Sequence, residues 1–239
     1  MLKRLCASEK CEESLYDHLL NVGECCEFLV RELNIDLNSQ LGLLAGILHD
    51  VGKGIKLYQE FYNVIGSFVG HEYFSALFAK YVVDSIGLKD HEKFIVLYSI
   101  LMHHQASGSF YDRLDHLMDK LKNMKNNVEV LYFEETIRDV LSKLLSSICS
   151  SREIEESLAK YSKTVTNILR ELYVIKSPII YVFNINLFDI PIYARHLARS
   201  LCGIVMVCDK YVASKARGGK ENPYFTSIRD MLKGLGYIA

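Results

Sequence analysis

The stretch Leu43-Leu44-Ala45-Gly46-Ile47-Leu48-His49-Asp50-Val51-Gly52-Lys53 constrains this chain more than any other. An apolar run delivers a His-Asp doublet, and Gly52-Lys53 follows at once. Gly is the usual residue just past a helix end, so a helix stopping at Gly52 is expected to carry His49 and Asp50 in its last turn. His can ligate a divalent cation through a ring nitrogen and Asp through its oxygens. Lys53 is a point charge suited to a phosphate oxygen. A lone His-Asp pair is most often a surface pair or a satisfied hydrogen bond, so the doublet gains meaning only from the residues around it. A phosphate-binding P-loop is excluded: Gly46 stands one residue too far upstream, and Gly54 occupies the position where Ser or Thr must meet magnesium.

The rest of the chain points to helices. Only three Pro occur in 239 residues, and apolar side chains recur mostly at spacings of three and four. Half of the residues are hydrophobic, enough for a sizeable core in one large domain or two small ones. Lys and Arg total 28 against 29 Asp and Glu, so bulk charge announces no nucleic-acid binder and any such surface must be local. The Cys count is seven, with no Cys-x-x-Cys, which suggests reduced thiols rather than a disulfide framework or zinc ribbon. The first residues are charged and lack the apolar stretch of a signal peptide, and no apolar run is long enough to span a membrane. A cytoplasmic protein with no membrane partner is expected.

Ser14-Leu15-Tyr16-Asp17 resembles a capping box, and Leu15, Leu19, Val22, Cys26 and Leu29 mark one helical face beyond it. His18 lies at or beside that face. Ser39 can cap the helix that ends in His49-Asp50. Gly54 to Ser67 reads as a connecting loop. Gly70 and Gly87 bracket a helix that starts at His71, and Asp90 can cap another that ends in His103-His104. Two amphipathic stretches, Tyr111 to Leu145 and Ser151 to Val174, follow, broken near Asn126-Asn127 and Ser146-Ser147. For Ile179 to Phe183 a short strand and a buried helix start both stand open. A long helix is expected from Ile192 to Ala216. It carries Arg195, Arg199 and Asp209, the last in an unusually apolar setting. Lys215 to Lys220 reads as a basic, mobile loop.

His18, His49, Asp50, His71, His103, His104 and Asp209 thus fall at helix ends or on apolar helix faces. His91, His116 and His196 lie among charged residues and receive no role. A buried ionised Asp needs a partner, and a metal is a good one. Seven N and O ligands exceed what one catalytic zinc requires, and the surplus argues for two divalent ions. Mixed imidazole and carboxylate ligands suit magnesium, manganese, iron, cobalt, nickel or zinc. Asp50 can bridge, because a carboxylate has two oxygens. Two ions roughly 3.5–4 Å apart can activate a water and hold a phosphodiester for in-line attack.

These residues, in the order His18, His49-Asp50, Asp209 with Leu48-His49-Asp50-Val51-Gly52-Lys53, resemble the HD phosphohydrolase superfamily. Gly70-His71-Glu72, His103-His104, Ser14-Leu15-Tyr16-Asp17-His18-Leu19 and Asp209-Lys210-Tyr211-Val212-Ala213-Ser214 narrow the resemblance to the stand-alone HD nuclease of type I CRISPR interference. The motifs run from residue 14 to residue 214. The resemblance implies an all-α HD bundle forming a single domain over residues 1–239. It implies one metal on His18, His49, Asp50 and Asp209 and a second on Asp50, His71, His103 and His104. Asp50 and Lys53 would be the catalytic pair, with Lys53 near the scissile phosphate. A separate helicase subunit and an RNA-guided surveillance complex are implied as partners, with DNA or RNA as substrate; the chain itself carries no helicase motif. Gln105 stands where the family often has Gly, which arrives at Gly108. Lys215 and Arg217 form the local phosphate patch, and Arg195 and Arg199 lie at spacings that bring them near the Asp209 face.

Three other readings share part of this pattern. An HD-GYP cyclic-dinucleotide phosphodiesterase has the same His and Asp elements, but Gly108-Ser109-Phe110-Tyr111 lacks the Pro of its Gly-Tyr-Pro signature. A single-metal nucleotide phosphohydrolase leaves His71, His103 and His104 without a role. A non-enzymatic HD binding module has no need of seven ligands.

Overall fold

The computed structural model of the chain describes residues 4–8, 10–61, 67–104, 109–123, 128–171, 189–218 and 223–238. These residues form ten α-helices and two 3₁₀ turns, with no sheet among them; Cys6–Ser14 and Ile55–Phe133 pair only as isolated bridges. The fold is all-α, as expected. Ile179 to Phe183, where a strand or a helix start stood open, lies outside the described residues.

The helices are α1 (Leu15–Glu32), α2 (Ser39–Leu48), α3 (Lys56–Gln59), α4 (His71–Ser85), α5 (Asp90–Met102), α6 (Phe110–Asn123), α7 (Ile137–Leu144), α8 (Ser151–Glu171), α9 (Ile192–Ala216) and α10 (Pro223–Gly234). The 3₁₀ turns are Val51–Gly54 and Val128–Leu131. Ser14 caps α1, its Oγ accepting the Asp17 N–H at 3.1 Å. The cap of α2 is Asn38, one residue before the expected Ser39, and its Oδ1 accepts the Gln40 N–H at 3.0 Å. Gly70, with φ 79°, supplies the left-handed turn that opens α4. The expected loop after Gly54 holds α3, and α10 follows the basic segment without having been anticipated.

A central group of five helices positions the site. α1 and α2 form an antiparallel hairpin; α9 packs against α1, α2 and α5, and α4 lies on α5 with α8 behind it. Their inner faces join one buried cluster that reaches from Leu5 to Leu232 and includes Leu19, Ile47, Phe78 and Val205. The α1–α2 crossing is close because glycines face each other there. A Cβ on Gly46 would stand 2.6 Å from the Cα of Gly23 and 2.8 Å from the carbonyl oxygen of Val22.

The cysteines correct the expectation of reduced thiols. Cys25 of α1 is disulfide-bonded to Cys208 of α9 with Cα atoms 5.8 Å apart, and Cys6 is bonded to Cys11 with Cα atoms 4.8 Å apart. Cys26, Cys149 and Cys202 are buried and take no part in either disulfide. The first pair lies 183 residues apart in sequence, so Cys spacing could not reveal it; disulfide geometry is decided by Cα separation in space. No helix of the described residues is long and apolar enough to cross a membrane.

The glycine contacts set an expected outcome. Gly46→Ala should destabilise the protein by about 1–3 kcal/mol, because the methyl must push two helix backbones apart. Gly203 of α9 has open space around its missing Cβ, so Gly203→Ala should stabilise by about 0.4–1 kcal/mol. Denaturant midpoints measure both; equal effects at the two sites would show that the α1–α2 crossing does not limit stability.

Candidate metal centre

The helix carrying the His-Asp doublet ends earlier than expected. α2 stops at Leu48, His49 still has helical backbone angles, and Asp50 breaks out at φ −116° before the 3₁₀ turn Val51–Gly54. Gly52 is not the residue past the helix end. It is needed for contact: a Cβ there would stand 2.3 Å from the carbonyl oxygen of His71 and 2.7 Å from the Ser75 nitrogen. The Gly52 N–H donates to Ser75 Oγ at 2.8 Å. The turn after the doublet is thereby seated on the first turn of α4.

That seating aims His71 at Asp50. The Asp50 carboxylate is fully buried, and its two oxygens face different groups. Oδ2 lies 3.2 Å from His18 Nε2 and 3.3 Å from His49 Nε2. Oδ1 lies 2.6 Å from His71 Nε2 and 3.4 Å from His103 Nε2. Asp209 Oδ1 completes the first group, 3.4 Å from His18 Nε2 and 3.9 Å from His49 Nε2. His104 completes the second, its Nε2 3.2 Å from His71 Nε2. His18, His49, Asp50 and Asp209 therefore form one set that could hold a metal ion, and Asp50, His71, His103 and His104 another. All seven expected ligands are brought together, from five helices.

The imidazoles are oriented for ligation. His49 Nδ1 donates to the Gly46 carbonyl at 2.7 Å, His103 Nδ1 to the Ile100 carbonyl at 2.6 Å, and His71 Nδ1 to the Phe68 carbonyl. His18 Nδ1 donates to the Glu13 carboxylate at 2.9 Å. A neutral imidazole with its proton on Nδ1 has a bare lone pair on Nε2. The Nε2 atoms of His18, His49 and His103 are buried and have no hydrogen-bond partner among the described residues. Buried lone pairs facing carboxylate oxygens are unfavourable unless a cation lies between them. The donor set thus fits a divalent metal.

The clustered charges also shift one another's protonation. Burial alone would lower the pKa of His18, but the carboxylates of Asp209, Asp50 and Glu13 beside its ring hold it well above the usual range. His49 is raised in the same way against burial by Asp50 and Asp209. Burial would raise Asp50, yet the charges of His49, Lys53 and His71 hold it well below the carboxylate range. Asp209 is lowered likewise, against burial, by His18 and His49. Burial pushes His103 and His104 down, so both stay neutral.

Lys53 stands beside the first set. Its Nζ pairs with Asp50 Oδ2 and lies 5.4 Å above the Phe68 ring. Burial would lower its pKa, but Asp50 and Asp209 raise it, so it remains an ammonium. A cleft of ≈ 320 Å³ opens above the cluster, lined among others by Lys10, Glu13, Lys53, Phe68, Lys210 and Arg217.

The remaining basic candidates divide. Arg217 lines the cleft, its Nε donating to the Ala213 carbonyl at 2.9 Å. Lys215 is exposed; six residues after Asp209, it is turned about 240° around the helix. Arg195 and Arg199 are exposed on α9, and Arg195 Nε donates to the Ile190 carbonyl at 3.2 Å. Around the helix they lie about 40° and 80° from Asp209, and at ~1.5 Å per residue roughly 21 and 15 Å from it along the axis, and neither is among the residues lining the cleft. Gln105 to Gly108, where the chain departs from the family pattern, fall outside the described residues. Sequence reasoning passed over Glu13 and Lys210. Glu13 precedes the helix, so no helical period linked it to His18; Lys210 was noted only as part of a motif.

A protein-family model for the HD domain matches residues 15–134, just over half of the chain. Searches of curated proteins and of solved structures return no match. The matched span carries the capped start of α1, the His-Asp turn, the start of α4 and the His doublet that ends α5; Asp209 lies beyond it. HD domain proteins bind divalent metals, in keeping with the two ligand sets. The chain belongs to the HD domain family and is a metal-dependent hydrolase of the phosphohydrolase type.

Proposed function

We propose that the protein is a nuclease that hydrolyses phosphodiester bonds of DNA, or of RNA, with two divalent ions bound. The observation that carries this reading is the Asp50 carboxylate, whose two oxygens face two separate imidazole sets. His18, His49, Asp50 and Asp209 would hold one ion; Asp50, His71, His103 and His104 would hold the other. Two ions held there supply an activated water and a clamp on the attacking and leaving oxygens. The chain's own groups do the rest. Carbonyls of Gly46, Phe68 and Ile100 fix the rings of His49, His71 and His103 in place. Lys53 keeps its proton and can place that charge on a phosphate oxygen. Lys10, Lys210 and Arg217 on the walls of an open cleft favour a polyanion that passes through over a small ligand that is enclosed.

The finer assignment rests on the resemblance. It places the enzyme in CRISPR antiviral defence beside a separate helicase subunit and an RNA-guided surveillance complex. A single domain is supported by the buried cluster that joins Leu5 to Leu232.

The substrate is tested by offering labelled single- and double-stranded DNA and RNA, cyclic dinucleotides and nucleoside triphosphates to Mn²⁺-loaded protein. Polynucleotides should be cut, chelator should stop the reaction and Mn²⁺ should restore it. Rapid turnover of cyclic dinucleotides with intact DNA and RNA would sink the nuclease reading. For Lys53→Ala, metal content should stay at the wild-type level while kcat falls by about 10²–10³-fold; loss of metal instead would assign Lys53 a structural role. Elemental analysis of folded variants should count two ions per wild-type chain, neither bound well by Asp50→Ala, and one retained by His71→Ala. A fully active wild-type protein that saturates at one ion is incompatible with the two-ion clamp.

A further inference from the structure

α6 lies across the start of α4. A Cβ on Gly70 would stand 2.6 Å from Leu117 Cδ2, so Leu117 sits directly on the turn that precedes His71. Arg113, four residues before Leu117, is carried onto the same face of α6. Its guanidinium joins two elements: Nε donates to Glu72 Oε1 at 2.7 Å, and Nη1 donates to the backbone carbonyl of His104 at 3.0 Å. Both side chains are largely buried, with exposures of 11% for Arg113 and 1% for Glu72. Glu72 follows His71 in sequence, and its other oxygen lies 3.6 Å from His71 Nδ1. One buried cation therefore ties the residue next to His71 to the peptide of His104.

His104 needs such a tie more than its neighbours do. His49, His71 and His103 each anchor Nδ1 on a carbonyl three residues back. Among the described residues, the hydrogen bonds of His104 run instead through its Nε2, toward His71, and through its carbonyl, to Arg113. α5 ends at Met102, so that carbonyl lies past the regular helix ladder and takes its partner from outside.

We infer that Arg113, braced by Glu72, is a positioning residue for the second ligand set, holding His104 at its distance from His71. This rests on the two-ion reading above. A buried ion pair is a weak way to join two helices, since apolar side chains of similar size do so as well or better. What the guanidinium adds is a second donor at a fixed angle to the first, and that donor is the one on His104.

The test uses the full chain loaded with Mn²⁺, with binding followed by titration calorimetry, bound metal counted by elemental analysis and folding checked by circular dichroism. Arg113→Lys keeps a positive charge for Glu72 but, as a single point charge on a flexible stem, cannot hold both partners. It should retain the first ion at wild-type affinity and weaken the second by about 10–100-fold, the usual effect of losing an outer partner of a metal site. The paired replacement Arg113→Met with Glu72→Leu removes the charges together and keeps the helices packed. It should fold, keep the first ion and show the same weakened second ion. The inference is overturned if both ions bind the folded double variant as they bind wild type, or if both ions are weakened equally. A wild-type chain that takes one ion only overturns this inference and the two-ion reading together, and that result is visible before any variant is made.

Discussion

A buried carboxylate with two differently employed oxygens is the constraint on which this structure turns. Burying Asp50 away from water is costly unless each oxygen finds positive charge or a donor. The Lys53 ammonium meets that demand at Oδ2, and four imidazoles from α1, α4 and the ends of α2 and α5 turn Nε2 toward the carboxylate, an arrangement that a divalent cation between them would complete. The rest of the bundle keeps those groups within reach. Glycines let α1 and α2 cross closely, which sets His18 against His49, and Gly52 lets the turn after Asp50 rest on the first turn of α4, which sets His71 against Asp50.

The same economy appears in how the rings are oriented. Helix ends leave carbonyls without intrahelical partners, and a His near such an end can give its Nδ1 proton to one of them. His49 and His103 do this at the ends of α2 and α5, and His71 does it at the turn before α4. Each helix terminus then satisfies its own backbone and leaves Nε2 bare toward the centre. His18 lies in the first turn of α1, where the carbonyls already accept helix N–H groups, and Glu13 supplies the acceptor from the preceding loop. Backbone and metal chemistry are thus served by one placement of each residue.

The cleft continues this arrangement outward. Asp50 and Asp209 lie at the buried centre, and the walls above carry four cations, Lys10, Lys53, Lys210 and Arg217, beside two carboxylates, Glu12 and Glu13. On the nuclease reading proposed above, a phosphate chain would meet these cations while its scissile group approaches the two ligand sets. Arg195 and Arg199 take no part in this, because they lie many ångströms from Asp209 along the helix axis.

Much of the site was legible before any coordinates. The long helix of residues 192–216, the capped start at Ser14 and the doublets at His49-Asp50 and His103-His104 follow from local spacing, and local spacing is written directly in a sequence. The seven candidate ligands, which the fold gathers into two sets able to hold a metal ion, stand out in the sequence because His and Asp are conspicuous on apolar helix faces. What remained hidden were contacts between elements far apart in the chain. The Cys25–Cys208 bond, the tight seat of Gly52 on α4, the Glu13–His18 pair and the Arg113 tie between Glu72 and His104 depend on which helices meet, and at what distance. By itself the sequence determined the longer helices around the site, the cap at Ser14 and the residues able to bind metal, since these follow from propensity and period along the chain; the short α3, α10 and the exact ends of α2 did not. The resemblance implied two sets that share Asp50; only tertiary structure decided which oxygen faces which imidazoles and at what distance, because those are positions in space set by packing.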